Sequence, residues 1–234
     1  MINTLRFAAK QILPLLFPYF FVGIAFGILI HEAGYSVLWA ILSGVFIYAG
    51  SMQIVMVSLI TAGVPLLTIA LMTFFINARH IFYGIGFLDK FRRMGWKYPY
   101  MILTLTDETY SVLCSIDYPE NIDVKKADFY IALLSHMLWV FSCTVGALAG
   151  EMLPFDMTGI EFSATAFFVV VCVKQWYQFD SRIPAVTGFV SAITFYILLG
   201  ADYFLLPALS VSLITLTIMK DRIDIKKRGI KHDN

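Results

Sequence analysis

Three clusters of side chains in this chain have types and spacings suited to ligand chemistry. The first is Asn77-Ala78-Arg79-His80, which closes a run from Gly34 to Ala78 that holds no Asp, Glu, Lys or Arg. A guanidinium and an imidazole after so long an apolar stretch sit within or close to a membrane. Ionisable groups there are expensive and usually serve a solute or ion pathway. The second is Asp107 with Glu108, adjacent carboxylates in an otherwise apolar segment. Such groups can hold an ammonium or exchange a proton with it. The third is Tyr48-Ala49-Gly50-Ser51-Met52-Gln53, which concentrates small and hydrogen-bonding groups inside an apolar run. An amide without a partner in hydrocarbon is costly, so Gln53 needs either a protein partner or a ligand.

Helices would position these groups. Thr104, Asp107, Glu108, Ser111 and Ser115 fall at i, i+3, i+4, i+7 and i+11, which is one helical face. An acidic stripe in a membrane should turn toward protein or water. The competing reading ends the segment near the surface, with its carboxylates among headgroups. Thr73, Asn77, His80 and Gly84 share another face, with Arg79 about 100° away from His80. A helix broken here would offer freed amides and carbonyls to a solute; otherwise Arg79 snorkels and His80 caps a helix end. Gly44, Tyr48, Ser51, Ser58 and Ala62 form a third stripe, in which Gly44 and Ala62 suit close helix packing.

Composition sets the environment. The 234 residues are 59% hydrophobic and 14% charged, against about 25% charged in soluble domains. Further charge-free runs occupy Leu13–Ile30, Phe129–Gly150, Phe162–Val173, Ile183–Ala201 and Tyr203–Met219. The fold class expected is an all-α polytopic membrane protein of roughly six to eight transmembrane helices, each crossing needing about 20 residues. At least one segment is expected to be broken or re-entrant. One membrane domain spans 1–234, with a basic cytoplasmic tail at 220–234. A formal net charge of +1 gives no global basic character for nucleic acid. Cys114, Cys143 and Cys172 are scattered singly, which fits neither a disulfide framework nor a zinc site. Arg6 and Lys10 precede an apolar run too long for a cleaved signal, so a first span is expected there.

The candidate segments are Leu13–Ile30, Val37–Leu59, Pro65–Phe87, Tyr98–Ser115, Phe129–Gly150, Glu161–Val173, Ile183–Leu199 and Phe204–Met219. Turn chemistry divides them at Ala33-Gly34-Tyr35, Ala62-Gly63-Val64-Pro65, Tyr118-Pro119, Pro154 and Gly200. Basic clusters place the N-terminus, the Lys90–Lys97 loop and the tail in the cytoplasm. Yet odd numbers of segments separate these markers. Either the middle loop lies outside with eight full spans, or each part hides one segment that does not cross. Pro65–Phe87, interrupted at Asn77–His80, is one candidate; Glu161–Val173, too short to cross simply, is the other. A faint internal echo pairs Gly27–Glu32 with Gly146–Glu151, each closing an apolar span with Gly-x-x-x-x-Glu.

Enzyme signatures are missing from the sequence: no Gly-x-Ser-x-Gly, His-Glu-x-x-His, P-loop or Gly-x-Gly-x-x-Gly occurs. His31, His80 and His136 are too dispersed to argue for a metal, and no cofactor is expected. The chain reads as a non-enzyme.

Three elements, in order, resemble the AzlC family of bacterial branched-chain amino-acid exporters. Ala49-Gly50-Ser51-Met52-Gln53 matches that family's Ala-Gly-x-x-Gln motif. Asn77-Ala78-Arg79-His80 with Phe82-Tyr83 matches Asn-x-Arg-His followed by a hydrophobic-Tyr pair. Thr106-Asp107-Glu108-Thr109 matches Thr-Asp-Glu-Thr. Tyr19-Phe20-Phe21-Val22-Gly23 through Gly27 is similar to its early Pro-x-x-x-Gly-x-x-x-Gly-like stretch, and Ala33-Gly34-Tyr35-Ser36 to the loop that follows. Beyond about Asp128 the likeness rests on length and hydropathy. The resemblance implies export of branched-chain amino acids driven by the proton gradient, with a small AzlD-like membrane subunit, in the bacterial cytoplasmic (inner) membrane.

The expectation is therefore a secondary transporter exporting small neutral amino acids. Arg79, or amides near Gly50 and Ser51, would hold the substrate carboxylate. Asp107 or Glu108 would hold the ammonium or exchange a proton, with Asp107 the coupling carboxylate and Glu108 supporting it. Met52, Phe74, Phe75 and Phe82 would line the apolar pocket. Tyr48, Ser51 and Gln53 would face the same cavity as Asn77, Arg79 and His80. The alternatives are a non-transporting assembly subunit and a solute channel.

Overall fold

Leu13–Glu32 forms an unbroken helix of 20 residues, about 30 Å long at ~1.5 Å per residue, which matches the hydrocarbon core of a bilayer. Pro14 falls in its first turn, where a missing N–H is harmless. It ends where Gly34 takes φ +85° and the Gly34 and Tyr35 amides close back on the His31 and Ile30 carbonyls at 2.9 and 3.2 Å. The computed structural model describes residues 2–152, 182–200 and 204–219, with isolated positions at 169, 172, 173 and 176. The side chains of Arg79 and Phe82 lie outside that description.

Among the described residues every regular element is helical. In chain order these are α1 (Ile2–Gln11), α2 (Leu13–Glu32), α3 (Val37–Phe46), α4 (Gly50–Thr61), α5 (Leu66–Asn77) and α6 (Arg79–Arg92). A 3-10 turn at Gly95–Lys97 leads to α7 (Tyr98–Leu103), α8 (Asp107–Ser115), α9 (Val124–Met152), α10 (Ile183–Leu199) and α11 (Leu205–Ile218). α2 and α9 are each long and apolar enough to cross a membrane, with mean hydropathy of 2.3 and 1.8. The chain forms two compact units. The smaller holds residues 70–75 and 162–234; within it α10 packs on α11 and Tyr196 meets Phe204 edge-on at 5.4 Å.

The larger unit, residues 1–69 and 76–161, is organised by α2 against α9. Tyr19 meets Trp139 at 5.4 Å, and a Cβ on Gly23 would sit 2.5 Å from the Ser142 Cβ. A Cβ on Gly27 would run into the Cys143 carbonyl, one on Gly146 into the Ile24 carbonyl, and Gly150 faces His31. The contacts ascend together, so the two helices run parallel. Lys97 over Phe129 at 4.2 Å and Tyr100 with His136 at 3.1 Å set α7 parallel to α9 as well. α8 returns beside α6: Asp107 meets His80, Tyr110 stacks on Tyr83 at 4.5 Å, and Tyr118 beyond the helix meets Lys90 at 3.2 Å. α7 and α8 thus enter and leave at the N-terminal end of α9. The core there joins Ala8, Leu15, Phe91, Met94, Leu113 and Ile131, so α1, the Lys90–Lys97 turn and the start of α9 share one end of the unit.

Two of the expected segments differ from expectation, and a third is interrupted where the sequence placed the interruption. Val37–Leu59 is not continuous: it breaks between α3 and α4 at Ile47–Ala49, where Tyr48 has φ +42°. The stripe from Gly44 to Ala62 therefore does not lie on one face. Tyr98–Ser115 breaks at Thr104–Thr106, so Thr104 does not share a helix with Asp107, and Thr106 instead caps α8 by accepting from the Thr109 amide at 3.3 Å. Pro65–Phe87 is interrupted only at Ala78, whose dihedrals are helical (φ −53°, ψ −29°); the helical run extends to Arg92. Glu161–Val173 and the 220–234 tail lie outside the described residues, apart from isolated positions in the former.

Replacing Gly27 by valine should lower the thermal unfolding midpoint in detergent sharply, because backbone rather than a movable side chain occupies the space; overpacking costs about 1–3 kcal/mol even where neighbours can give. Gly86→Ala, with nothing within 4 Å of its added Cβ, should leave the midpoint unchanged or raise it. Equal effects would mean the α2–α9 contact does not hold the unit together.

Candidate functional site

The break between α3 and α4 lies at the level of Trp139. The Ile47 and Tyr48 amides both close on the Ser43 carbonyl, at 2.9 and 3.2 Å, so the helical register slips and the Gly44 carbonyl is left without its usual Tyr48 partner. His136 Nε2 lies 3.2 Å from that carbonyl. Gln53, fully buried, binds the break together. Its Oε1 accepts from Trp139 Nε1 (3.0 Å) and the Ala49 amide (3.2 Å), and its Nε2 donates to Ser43 Oγ (3.3 Å). A Cβ on Gly50 would approach the Trp139 ring at 2.9 Å, so glycine lets α4 start against that indole.

Tyr19 carries this cluster across to the second break. Its hydroxyl lies 2.8 Å from Thr106 Oγ1, 3.3 Å from the Tyr48 hydroxyl and 3.4 Å from Glu108 Oε2. Thr106 donates to Thr109 Oγ1 at 3.1 Å. The rings of Tyr19, Tyr48 and Trp139 lie mutually edge-on, with centroids 5.4–6.5 Å apart, a favourable aromatic geometry. All three are at least 95% buried. Glu108 is partly exposed, so the cluster has a polar edge.

His80 and Asp107 stand at that edge. The Ile81 amide bonds Ala78 (3.1 Å) rather than Asn77, and His80 Nδ1 lies 3.1 Å from the Asn77 carbonyl. A carbonyl only accepts, so Nδ1 carries the proton. Nε2 then faces Asp107 Oδ1 at 3.8 Å, with the two side chains 27% and 32% exposed. Asp107 and Glu108 also fill the first turn of α8, where negative charge is favoured by the helix dipole.

Of the residues expected from sequence, Tyr48, Gly50 and Gln53 meet around Trp139, while His80 meets Asp107 through one ring nitrogen and the Asn77 carbonyl through the other. Glu108 connects the two groups. Ser51 is half-buried in the first turn of α4. The Arg79 side chain and that of Phe82 lie outside the described residues. Gln53 has both ends of its amide hydrogen-bonded to protein groups. Met52 is buried in the core; Phe74 and Phe75 pack on each other at 5.8 Å.

Sequence reasoning quoted Tyr19 and Thr109 only within family-like motifs and gave no site role to them, to Trp139, to Asp128 or to His136. A further buried group, Asp128, is fully enclosed near the start of α9, with Lys90 Nζ at 2.8 Å and the Tyr118 hydroxyl donating to Oδ1. Burial, and then the neighbouring Asp128 carboxylate, push the Tyr118 phenol above its ordinary range, so it stays protonated and able to donate. The signal available was Asp128 itself, a lone carboxylate leading into an apolar run.

Two helices long and apolar enough to cross a bilayer, with interrupted helices around a polar, aromatic centre, mark the described residues as those of a helical membrane protein, and comparison with known proteins adds the family. The family model described as AzlC protein matches residues 14–153. A Bacillus subtilis protein named "Branched-chain amino acid transport protein AzlC" is 32% identical over 94% of this chain and 86% of its own length. An uncharacterized membrane protein of Haemophilus influenzae is 33% identical over 98% of this chain and 96% of its own. The Escherichia coli inner membrane protein YgaZ is 26% identical, with 82% of each chain covered. No solved structure matches. The chain belongs to the AzlC family.

Gln53→Leu should destabilise the protein by about 1–3 kcal/mol or more, because it strands buried donors on Trp139 and Ala49. Thermal unfolding in detergent would report it. An unchanged midpoint with weakened ligand binding would instead make Gln53 a ligand contact.

Proposed function

We propose that this chain is a proton-coupled secondary transporter that exports small neutral amino acids, branched-chain ones foremost, across the bacterial cytoplasmic membrane alongside a small AzlD-like subunit. The observation that carries the reading is the placement of Glu108 and the Tyr19 and Tyr48 hydroxyls between two helix breaks, with a His80–Asp107 pair beside them. A zwitterion with an apolar side chain needs an anion site, a cation site and an apolar surface. The name of the Bacillus subtilis relative supports the substrate class.

Glu108, backed by the faces of Tyr19 and Tyr48, suits the ammonium group; carboxylate and aromatic rings both favour a cation. The first turn of α4, which opens without a side-chain cap, suits the carboxylate, as do the ends of broken helices in other transporters. Arg79 is the alternative holder. Asp107 with His80 forms the proton-handling pair, because both are partly exposed and close enough to share a charge. The described conformation is closed over the tyrosines, so transport requires the breaks to open.

Charge supports one orientation on this reading. Lys10, Lys90, Arg92, Arg93, Lys97, Lys125 and Lys126 belong to the end of the larger unit where α9 begins, and the positive-inside rule makes that end cytoplasmic. α2 leaves that end and α6 returns to it, which requires an even number of crossings. The segment that ends in α6 supplies the return on this reading. The α3–α4 pair is then re-entrant from outside and α7–α8 from inside, their tips meeting at Tyr19. Broken backbone at that depth is tolerated because it is buried in protein.

In proteoliposomes, Asp107→Asn should abolish accumulation driven by a pH gradient while leaving leucine counterflow. Glu108→Gln should affect the gradient less but raise the half-saturation concentration for counterflow about tenfold, equivalent to ~1.4 kcal/mol. Wild-type protein, tested with and without its partner subunit, that shows no counterflow would favour a channel or an assembly subunit. Asp107→Asn that sustains the full gradient would pass the coupling role to His80 or Glu32.

A further inference from the structure

We infer that His136 is a positioning residue that ties the two helix breaks into one unit and thereby sets the geometry of the Tyr48–Tyr19–Glu108 site; its effect on transport rests on the function proposed above. The slip at Ser43 leaves the Gly44 carbonyl without its backbone donor deep in the larger unit, and His136 Nε2 takes that place at 3.2 Å. A carbonyl oxygen only accepts, so Nε2 bears the hydrogen. The Tyr100 hydroxyl of α7, 3.1 Å from Nδ1, then donates to the ring's free lone pair.

The result is a directed chain, Tyr100 to His136 to Gly44, that runs from the α7–α8 hairpin through the continuous helix α9 to the end of α3. The imidazole also lies against the Tyr48 ring, centroids 4.5 Å apart. Tyr48 is the described non-glycine residue with positive φ, +42°, a conformation that an L side chain holds only when its surroundings over-determine it. His136 supplies two of those constraints, the bonded carbonyl four residues before Tyr48 and the ring beside it. Trp139 and Tyr19 supply the others. Removing the His136 hydrogen bonds while keeping a ring would relax the backbone before Tyr48 and move its hydroxyl relative to Tyr19. Substrate affinity would fall, with the proton pair His80–Asp107 untouched.

Three variants test this in leucine counterflow. His136→Phe should raise the half-saturation concentration about tenfold with the maximal rate within about twofold of wild type. His136→Gln, whose amide can donate to Gly44, should restore most of that loss. Tyr100→Phe should weaken affinity alone and add little to His136→Phe, since both cut one chain. Nitrogen-15 chemical shifts of labelled histidine provide a readout independent of transport: His136 should show a protonated Nε2 and an unprotonated Nδ1 in detergent. If His136→Phe fails to fold, Tyr100→Phe and the nitrogen shifts decide. An unchanged half-saturation in Tyr100→Phe and His136→Phe, glutamine as damaging as phenylalanine, or a protonated Nδ1 with bare Nε2 would each overturn the inference. The expected tautomer together with no counterflow in wild type would instead remove the transport reading and leave the structural link standing.

Discussion

The close parallel contact of α2 with α9 is the constraint on which the rest of the larger unit depends. Helices approach this tightly only where side chains are absent, and Gly27 and Gly146 let each backbone fill the space that the other's Cβ would occupy. Tyr19 is thereby set against Trp139. Trp139 in turn supplies the indole N–H that Gln53 needs and the ring face on which Gly50 begins α4. A wider α2–α9 spacing would withdraw the indole, and the buried amide of Gln53 would lose a partner where no water can replace it. The break in the second apolar segment, Val37–Leu59, is therefore a consequence of packing between α2 and α9, outside the segment itself.

A break inside an apolar interior creates a backbone debt of unpaired groups, and this chain settles it twice in the same way. At Asn77 and at Gly44 the slipped helical register frees a carbonyl, and a histidine ring N–H approaches each, at 3.1 and 3.2 Å. The two rings differ in their other nitrogen. That of His80 faces Asp107 at a partly exposed edge, and that of His136 faces the neutral hydroxyl of Tyr100. One histidine is thus placed beside a titratable group, and the other is held between neutral partners.

The sequence made the apolar runs, the glycine turns after α2 and α4, and the three polar motifs legible, because each depends on local composition or local backbone geometry. Gly34 and Gly63 take φ +85° and +67° at the ends where turn chemistry placed them. The break at Tyr48 was not legible, since neither Gly nor Pro stands between Ile47 and Ala49; its causes, Trp139 and His136, come from far along the chain. Thr104 read as part of an acidic face because spacing alone cannot reveal that Thr106 starts a new helix. Tyr19 read only as the start of a family-like stretch in an apolar span, although its hydroxyl links both breaks.

Asp107 and Glu108 show how much chemistry one helical turn can separate. Adjacent residues on a helix project about 100° apart, so the first looks toward His80 on α6 and the second toward Tyr19 on α2. Both remain at the N-terminal turn capped by Thr106, where the same backbone dipole acts on each. A cation arriving at Glu108 must alter the field at Asp107 directly, since a single peptide unit joins them. On the transport reading, coupling between substrate and proton then needs no long relay through the bundle. It needs only that α8 keep its start between α2 and α6, which the Tyr83–Tyr110 stack and the Thr106–Tyr19 bond enforce from either side.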